Sequence, residues 1–498
     1  MNGVQSSLTR MSNIKQETLN GAKWGLINKC VMQPANFLYF MVLARLITPG
    51  EMGVLGLTGI FFAVANSLKE AGFGTALIRK QNRTETDCST VFWFNIAANV
   101  LVALIFWFVA PWFAVFFNVP DLKWITRVSC IMMVLGATQS VHYTLYTARR
   151  DFKTTTIISI ITTLAGMPVT LYLAYAGWSY WSMVISGAFT GLLSLIIIWI
   201  VSPWKPRFLF SYKSFKEFFS FGFKLSLTGC VWQAYAHCVQ FLIGRVYSPA
   251  QLALYDRGKH LSVLPSTMLF EPINNIMFPI LSTIQDDEER LRQIYRKYVR
   301  LSTMPMVWIL LTMVFSAHSI IYLFYGATWL PCAEYLQIIC LGTIFSPLIR
   351  VNHSYLLVKG RSDILLWREI SVMLVSLLLL GAAVFISVKA VCWALALSNV
   401  YNFVVTLAFS IRLSKLSFWA QVRDFLPYVL MALLVNMPAW LLWWADVPYY
   451  ICAFAGPGTA FILYLLALHL LRDTAWIMVR DMLLNSAPVR KIRARFSS

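Results

Sequence analysis

Three features of this sequence predict an all-α polytopic membrane protein of about fourteen transmembrane helices, arranged as two parallel six-helix lobes plus a C-terminal helix pair. The first is composition: 59% of the 498 residues are hydrophobic and only 12% are charged, with a mean hydropathy of +0.67. A soluble chain of this length has no core large enough to hide so much apolar surface. The second is length. Nearly uncharged runs of about twenty residues recur from end to end, each able to cross ~30 Å of hydrocarbon as a helix, without the ten-residue alternation of a barrel. The third is an echo: Arg45-Leu-Ile-Thr-Pro-Gly-Glu-Met-Gly is followed about two hundred residues later by Arg245-Val-Tyr-Ser-Pro-Ala-Gln-Leu-Ala. In each copy an apolar stretch ends in Arg, a Ser/Thr-Pro turn follows, and another apolar stretch begins, as in a duplicated helical bundle.

The spans fall at 22–46, 52–77, 89–116, 122–146, 155–176, 180–202, 216–245, 250–281, 298–325, 331–357, 364–387, 390–411, 424–445 and 449–471. The gaps between them, with their flanks, alternate in charge. Every second gap is basic, from Arg79, Lys80 and Arg83 through Arg149, Arg150 and Lys153 to Arg412, Lys415 and Arg423, and both termini share that character. The basic set holds 29 of the 41 Lys and Arg residues, while the intervening gaps hold 5: Arg45, Lys123, Arg127, Arg245 and Lys389. By the positive-inside rule the rich side is cytoplasmic, both termini lie there, and the number of spans is even. The two echo copies then sit at matching outer turns with six spans from one to the other, so the halves share one orientation.

This divides the chain into a cytoplasmic tail (1–21), a first lobe (22–204), a second lobe (205–415), an appended helix pair (416–472) and a cytoplasmic tail (473–498). A looser echo joins Ala148-Arg-Arg-Asp-Phe to Lys359-Gly-Arg-Ser-Asp, after the fourth and tenth spans. Two cytoplasmic pieces read as helices. In 286–300, Leu291, Ile294, Tyr295, Tyr298 and Val299 share a face and Glu288 precedes Arg292 by four residues. In 473–495, Trp476, Val479, Met482 and Leu483 precede a basic cluster, a pattern that suits an interfacial helix over anionic lipid.

Several functions are excluded or disfavoured. The net charge of +20 is spread in small groups between spans, with no aromatic–basic module for nucleic acid. Nine cysteines lie mostly in apolar runs without CxxC pairs, and six histidines are dispersed, so neither a metal site nor a cofactor is expected. No gap reaches twenty residues, and no Walker A, HExxH or GxSxG motif is present, which leaves no place for a soluble catalytic domain. The polar start and the long first apolar stretch read as a tail and a span, not as a cleaved leader.

The informative residues are charges within or at the ends of spans, because each is costly there unless it meets water, a partner or a ligand. Lys29 lies about two turns into the first span and Lys224 about as deep in the seventh, its equivalent; Arg45 and Arg245 end those helices. Asp256 and Arg257 lie in the outer half of the eighth span, Glu271 deeper in it, and Glu334 and Arg350 at the outer and inner ends of the tenth. One reading is a water-filled cavity lined by Lys29, Lys224, Arg257, Arg350, Arg45 and Arg245, whose charges suit an anionic head group such as a pyrophosphate. Asp256, Glu271 and Glu334 would then serve ion coupling or charge pairing. The other reading is snorkelling or pairing within the bundle, Arg257 with Glu334 for example.

At these residues the chain resembles a known family. Leu43-Ala-Arg-Leu-Ile-Thr-Pro-Gly-Glu-Met-Gly-Val, Ala71-Gly-Phe-Gly-Thr-Ala-Leu-Ile-Arg, Phe92-Trp-Phe-Asn, Tyr255-Asp-Arg-Gly, Phe278-Pro-Ile-Leu-Ser-Thr-Ile-Gln-Asp-Asp and Gly326-Ala-Thr-Trp-Leu-Pro are similar to motifs of bacterial polysaccharide exporters. These are the Wzx and WzxC-like flippases of the multidrug/oligosaccharidyl-lipid/polysaccharide (MOP) superfamily, and the resemblance covers about residues 20–415. It implies two six-helix lobes packed as a V in the bacterial inner membrane. It also implies transfer of undecaprenyl-diphosphate-linked oligosaccharide from the inner to the outer leaflet, for O-antigen, capsule or exopolysaccharide synthesis. A polysaccharide polymerase and a chain-length regulator are the implied protein partners.

Three alternatives stand beside it. A drug antiporter of the same superfamily would favour acids over bases within the lobes. A membrane-embedded glycan polymerase would need a sizeable outer loop with Arg and His, whereas the outer gaps are a few residues long. A non-transporting component of glycan assembly is compatible with the same residues.

Overall fold

The computed structural model describes the backbone of residues 2–70, 73–80, 82–414, 417–445 and 447–484. Within these, the side chains of 2–20, 22, 60–70, 221, 224, 225, 413, 414 and 482–484 are not described. Gly72, Lys415 and the basic cluster Arg490, Lys491, Arg493 and Arg495 lie outside the described residues. All regular structure among the described residues is helical, in two compact units, Met1–Ala253 and Leu254–Ser498.

The first unit holds α1 (Asn2–Leu46), α2 (Pro49–Glu70), α3 (Phe73–Arg79), α4 (Glu85–Phe116), α5 (Leu122–Ala148), α6 (Phe152–Tyr175), α7 (Trp181–Val201) and α8 (Tyr212–Val246). The residues read as an N-terminal tail thus continue α1 backwards. Packing also places α8 in this unit, against α2, α3 and α4, whereas the sequence repeat puts the division at 204/205. Close approach explains the grouping. A Cβ on Gly244 would lie 2.3 Å from the Leu57 Cδ2 atom, so α8 packs closely on α2 at this glycine.

A polar clasp ties α3, α4 and α8 together. Lys80 donates at 3.1 Å to Asp87, in the first turn of α4, and at 3.1 Å to Glu217 on α8. Burial works against the Lys80 charge, but hydrogen bonds and charge attraction from Glu217 and Asp87 outweigh it and hold the ammonium above its ordinary pKa. Asp87 closes a capping box with Thr84, satisfying two orphan N–H groups where α4 begins.

The second unit comprises most of α9 (Pro249–Pro265), which continues through a π-turn (Ser266–Phe270) into α10 (Glu271–Thr283). There follow α11 (Glu288–Phe315), α12 (Ala317–Tyr325), a 3₁₀ turn (Ala327–Trp329), α13 (Cys332–Thr343), α14 (Ser346–Val358), α15 (Ser362–Ala383), α16 (Val388–Ser414), α17 (Phe418–Trp444), α18 (Tyr449–Leu470) and α19 (Thr474–Leu484). Its core joins α10, α11, α14, α17 and α18, with Leu291, Tyr295, Tyr298 and Val299 of the amphipathic face buried within it. The Glu288–Arg292 pair forms at 3.5 Å on the opposite side. Trp476 and Val479 of α19, which suit a lipid interface by pattern, pack on this same core.

Among the described residues eight helices are long and apolar enough to cross a membrane: α4, α6, α7, α11, α15, α16, α17 and α18; the bent pair α13–α14, hinged by 41°, makes up to nine. The other expected spans form helices too, as α1, α2–α3, α5, α8 and the α9–π-turn–α10 segment, outside this set of eight or nine. Four of these five segments are the ones that begin or end at the echoed phrase.

Both echoes become matched turns. At the first echo, Pro49 and Pro249 open α2 and α9, and the backbone N–H of the residue two further on, Glu51 or Gln251, donates to Thr48 Oγ1 at 3.4 Å or Ser248 Oγ at 3.3 Å. At the second echo, α5 and α14 end alike. Asp151 N–H donates to the Tyr146 carbonyl and Arg361 N–H to the Leu356 carbonyl, around a left-handed residue, Arg150 (φ 58°) or Gly360 (φ 68°).

Candidate functional site

Lys29 is exposed on α1, seventeen residues before the helix ends at Leu46, which is about 25 Å of helix. Arg45 and Arg245 occupy the same place, one residue before the end of α1 and α8, and both are exposed. The Arg245 guanidinium lies 4.6 Å from the centre of the Phe116 ring, a cation–π contact that anchors it at the end of α4. Lys224 stands on α8, and its side chain lies outside the described residues.

Arg257 is half-buried on α9. Its neighbour Gly258 brings that helix against α13: a Cβ there would lie 3.1 Å from the Leu336 amide nitrogen. Tyr325 and Cys332 are close enough to feel the Arg257 charge. Asp256, also half-buried, acts on Lys259 one turn along. Glu334, the partner considered for Arg257, forms an ion pair with Lys389 at 2.5 Å across α13 and the start of α16. Both side chains are about half exposed, so the pair contributes little to stability.

Arg350 and Glu271, far apart in sequence, come together. The Arg350 guanidinium is 5.5 Å from the centre of the Phe270 ring, and Glu271, the next residue, acts on it electrostatically. The π-turn sets this up, since its extra residue per turn rotates α10 relative to α9 after Pro265.

Sequence reasoning missed a polar network in the second unit. Asp424 on α17 is 2% exposed and accepts from Arg296 Nε and Nη2 at 2.6 and 2.9 Å and from Arg300 Nε and Nη2 at 2.8 and 2.6 Å. Arg296 forks across both oxygens and both Arg300 donors meet on Oδ1, which makes this carboxylate a charge-assisted anchor. Arg300 Nη1 also donates to Thr474 at 3.0 Å, and the Tyr428 hydroxyl to Asp473 at 2.8 Å, which fixes α19 to α11 and α17. Asn274 Oδ1 accepts from the Tyr298 hydroxyl at 2.7 Å and Ser354 at 2.8 Å. Arg368, 4% exposed on α15, lies 3.1 Å from His353 Nδ1, donates to Thr406 at 3.4 Å, and is paired with Glu369. The usable signal was a lone Asp or Arg inside an otherwise apolar span, which calls for a partner. Among the described residues no group of three or more His, Cys, Asp or Glu is placed to hold a metal.

These features define a duplicated, polytopic helical membrane protein that carries candidate ligand cations within its helices. Residues 42–334 match the family described as "Polysaccharide biosynthesis protein", more than half of the chain, and the protein belongs to that family. It is 25% identical over 429 residues to the teichuronic acid biosynthesis protein TuaB of Bacillus subtilis (strain 168), covering 85% of this chain and 88% of that one. It is 23% identical over 441 residues to the succinoglycan biosynthesis transport protein ExoT of Rhizobium meliloti (strain 1021), covering 86% and 88%. In fold it is similar to the lipid II flippase MurJ in an inward closed conformation, with a TM-score of 0.71 at 13% identity over 91% of this chain and 99% of that one.

Proposed function

We propose that the protein is a flippase that carries undecaprenyl-diphosphate-linked oligosaccharide repeat units across the bacterial inner membrane for surface polysaccharide synthesis. Both termini face the cytoplasm. The first lobe is 22–204, the second 205–415, and 416–472 is the appended pair. The observation that carries the reading is the coincidence of three things in one chain of this family: a duplicated helical bundle, a relative named as a transport protein over 88% of its length, and cations within the helices. Lys29, Arg257, Lys224, Arg350, Arg45 and Arg245 hold the diphosphate, as point charges or forked donors, while the polyprenyl tail stays in lipid. Asp256, Glu271 and Glu334 serve ion coupling or charge pairing, Glu334 with Lys389. The protein performs no covalent chemistry; a polymerase and a chain-length regulator act on what it delivers.

Deleting the gene in the glycan-producing cell tests this. The expected result is lipid-linked repeat unit accumulating on the cytoplasmic leaflet, restored to export by the wild-type gene. A normal leaflet distribution with polymerisation absent would sink the reading. Lys29→Ala and Arg257→Ala should each reduce export at least tenfold with folded protein still in the membrane; unchanged export in both removes the cationic assignment.

A further inference from the structure

Within the first unit lies a cavity of about 490 Å³ lined by ten residues of α3, α5, α6 and α7. Eight of the ten carry hydroxyls, and none carries a formal charge. In a bundle this apolar, such a concentration of hydroxyls around empty space is unusual, because polar groups at membrane depth are kept where they meet water, a partner or a ligand.

The hydrogen bonding shows what the cavity offers. Thr144 Oγ1 donates to the Ser140 carbonyl at 2.8 Å, Thr147 Oγ1 to the Tyr143 carbonyl at 3.0 Å, and Thr162 Oγ1 to the Ile158 carbonyl at 2.9 Å. Ser140 Oγ donates to the Ala137 carbonyl at 2.8 Å, and Ser194 Oγ to Gln139 Oε1 at 2.9 Å. The Ser194 proton being committed, the Tyr143 hydroxyl supplies the proton of the 2.9 Å bond between the two. A hydroxyl has one proton and two lone pairs. With six of the eight protons turned into the helices or to a neighbour, these groups present lone pairs to the cavity, Ser140 sharing its own with Asn95 at 3.1 Å, and most of the wall is a neutral array of acceptors beside an aromatic ring.

The matching ligand is neutral and rich in hydroxyl donors. The volume is many times the ~30 Å³ share of one water and within the ~300–1,000 Å³ of small-molecule sites. A bare metal ion would find no carboxylate among the lining residues, and an apolar ligand would leave the hydroxyls dry. Depth matters as well. All the lining residues lie within about three helical turns of the ends of α3, α5, α6 and α7 that the basic gaps assign to the cytoplasm.

We propose that this cavity is a subsite for uncharged sugar rings of the cargo glycan, occupied when substrate loads from the cytoplasmic side. The inference rests on the flippase reading and extends it: the cations hold the diphosphate, and the hydroxyl cavity holds sugar. Thr144 and Thr162 are its specificity residues.

The test uses the full chain in lipid nanodiscs and two probes. One is the undecaprenyl-diphosphate-linked repeat unit extracted from the gene-deletion strain; the other is undecaprenyl diphosphate without sugar. Wild-type protein should bind the glycosylated probe about tenfold more tightly. The double variant Thr144→Val/Thr162→Val, which keeps side-chain volume, should lose that advantage while holding the bare diphosphate as before. Thr144→Ser/Thr162→Ser should keep it. A double valine variant that retains the full advantage, equal wild-type affinity for both probes, or equal weakening of both probes would each overturn the subsite and leave the flippase reading standing. Failure of the wild-type protein to bind either probe would instead remove the flippase reading itself.

Discussion

The echoed turns before α2 and α9 use the same local chemistry, yet they are not interchangeable. Both place Ser or Thr before Pro, and both cap the following helix through that hydroxyl. The first copy carries Gly53 where the second carries Ala253, and Glu51 where the second carries Gln251. The difference has a physical reason, because the two turns touch: a Cβ on Gly53 would lie 1.7 Å from the carbonyl oxygen of Pro249. Two copies of one motif nest only if one of them gives up its side chain. Duplication supplied the motif, and divergence made the seam. The turns after α5 and α14 show the opposite asymmetry, with Arg150 left-handed in the first copy and Gly360 in the second.

The largest expected effect comes from closing the seam. Gly53→Ala places a methyl on immovable backbone and should destabilise by about 3 kcal/mol, as overpacking does, while Ala253→Gly should cost no more than about 1 kcal/mol. Thermal unfolding in detergent, followed by size-exclusion fluorescence, compares the two. Equal shifts would mean that the turns do not nest.

An intermediate effect separates the turns after α5 and α14. Gly360→Ala should cost about 1 kcal/mol, because an L side chain is strained at positive φ. Arg150→Ala should stay within about 0.5 kcal/mol, since that position already bears the strain. The same unfolding measurement decides it.

The smallest effect concerns charge at the caps of α2 and α9. Thr48 donates to Glu51 Oε2 at 2.8 Å through both its N–H and its hydroxyl. Burial raises the Glu51 pKa, but the Ser179 hydroxyl and these donors from Thr48 outweigh it, and the carboxyl is held below its ordinary value. Its contribution to stability is therefore present above the unfolded carboxyl pKa of about 4.3 and is lost as pH falls through the lower folded value. Glu51→Gln should remove that acid-side loss, and Gln251→Ala should leave the pH profile unchanged. Unfolding midpoints between about pH 3 and 7 check both.

The amphipathic face of α11 was legible because burial on one side of a helix follows the 3.6-residue period, and Leu291, Tyr295, Tyr298 and Val299 are buried as that period requires. The Glu288–Arg292 pair was legible for the same reason, four residues being one turn. Asp424 was not, because its partners Arg296 and Arg300 lie more than 120 residues earlier and no local pattern names a partner across that separation. Trp476 shows the limit from the other side. Its helix has an apolar face, but whether that face meets lipid or protein depends on what Arg300 and Tyr428 anchor beside it. The site divides in the same way: the cations stand out as costly residues in apolar spans, while the hydroxyl cavity is built from small side chains that look unremarkable one helix at a time.

By itself the sequence determined the helical membrane class, the even alternation of basic gaps, the duplication and the family, since each depends on composition or on spacing along the chain. Only the tertiary structure decided that α8 packs with the first unit, that Glu334 pairs with Lys389, that Gly53 faces Pro249, and that eight hydroxyls line one cavity. Each of these is a contact between residues distant in sequence, fixed by how closely the helices approach and which faces they turn to one another.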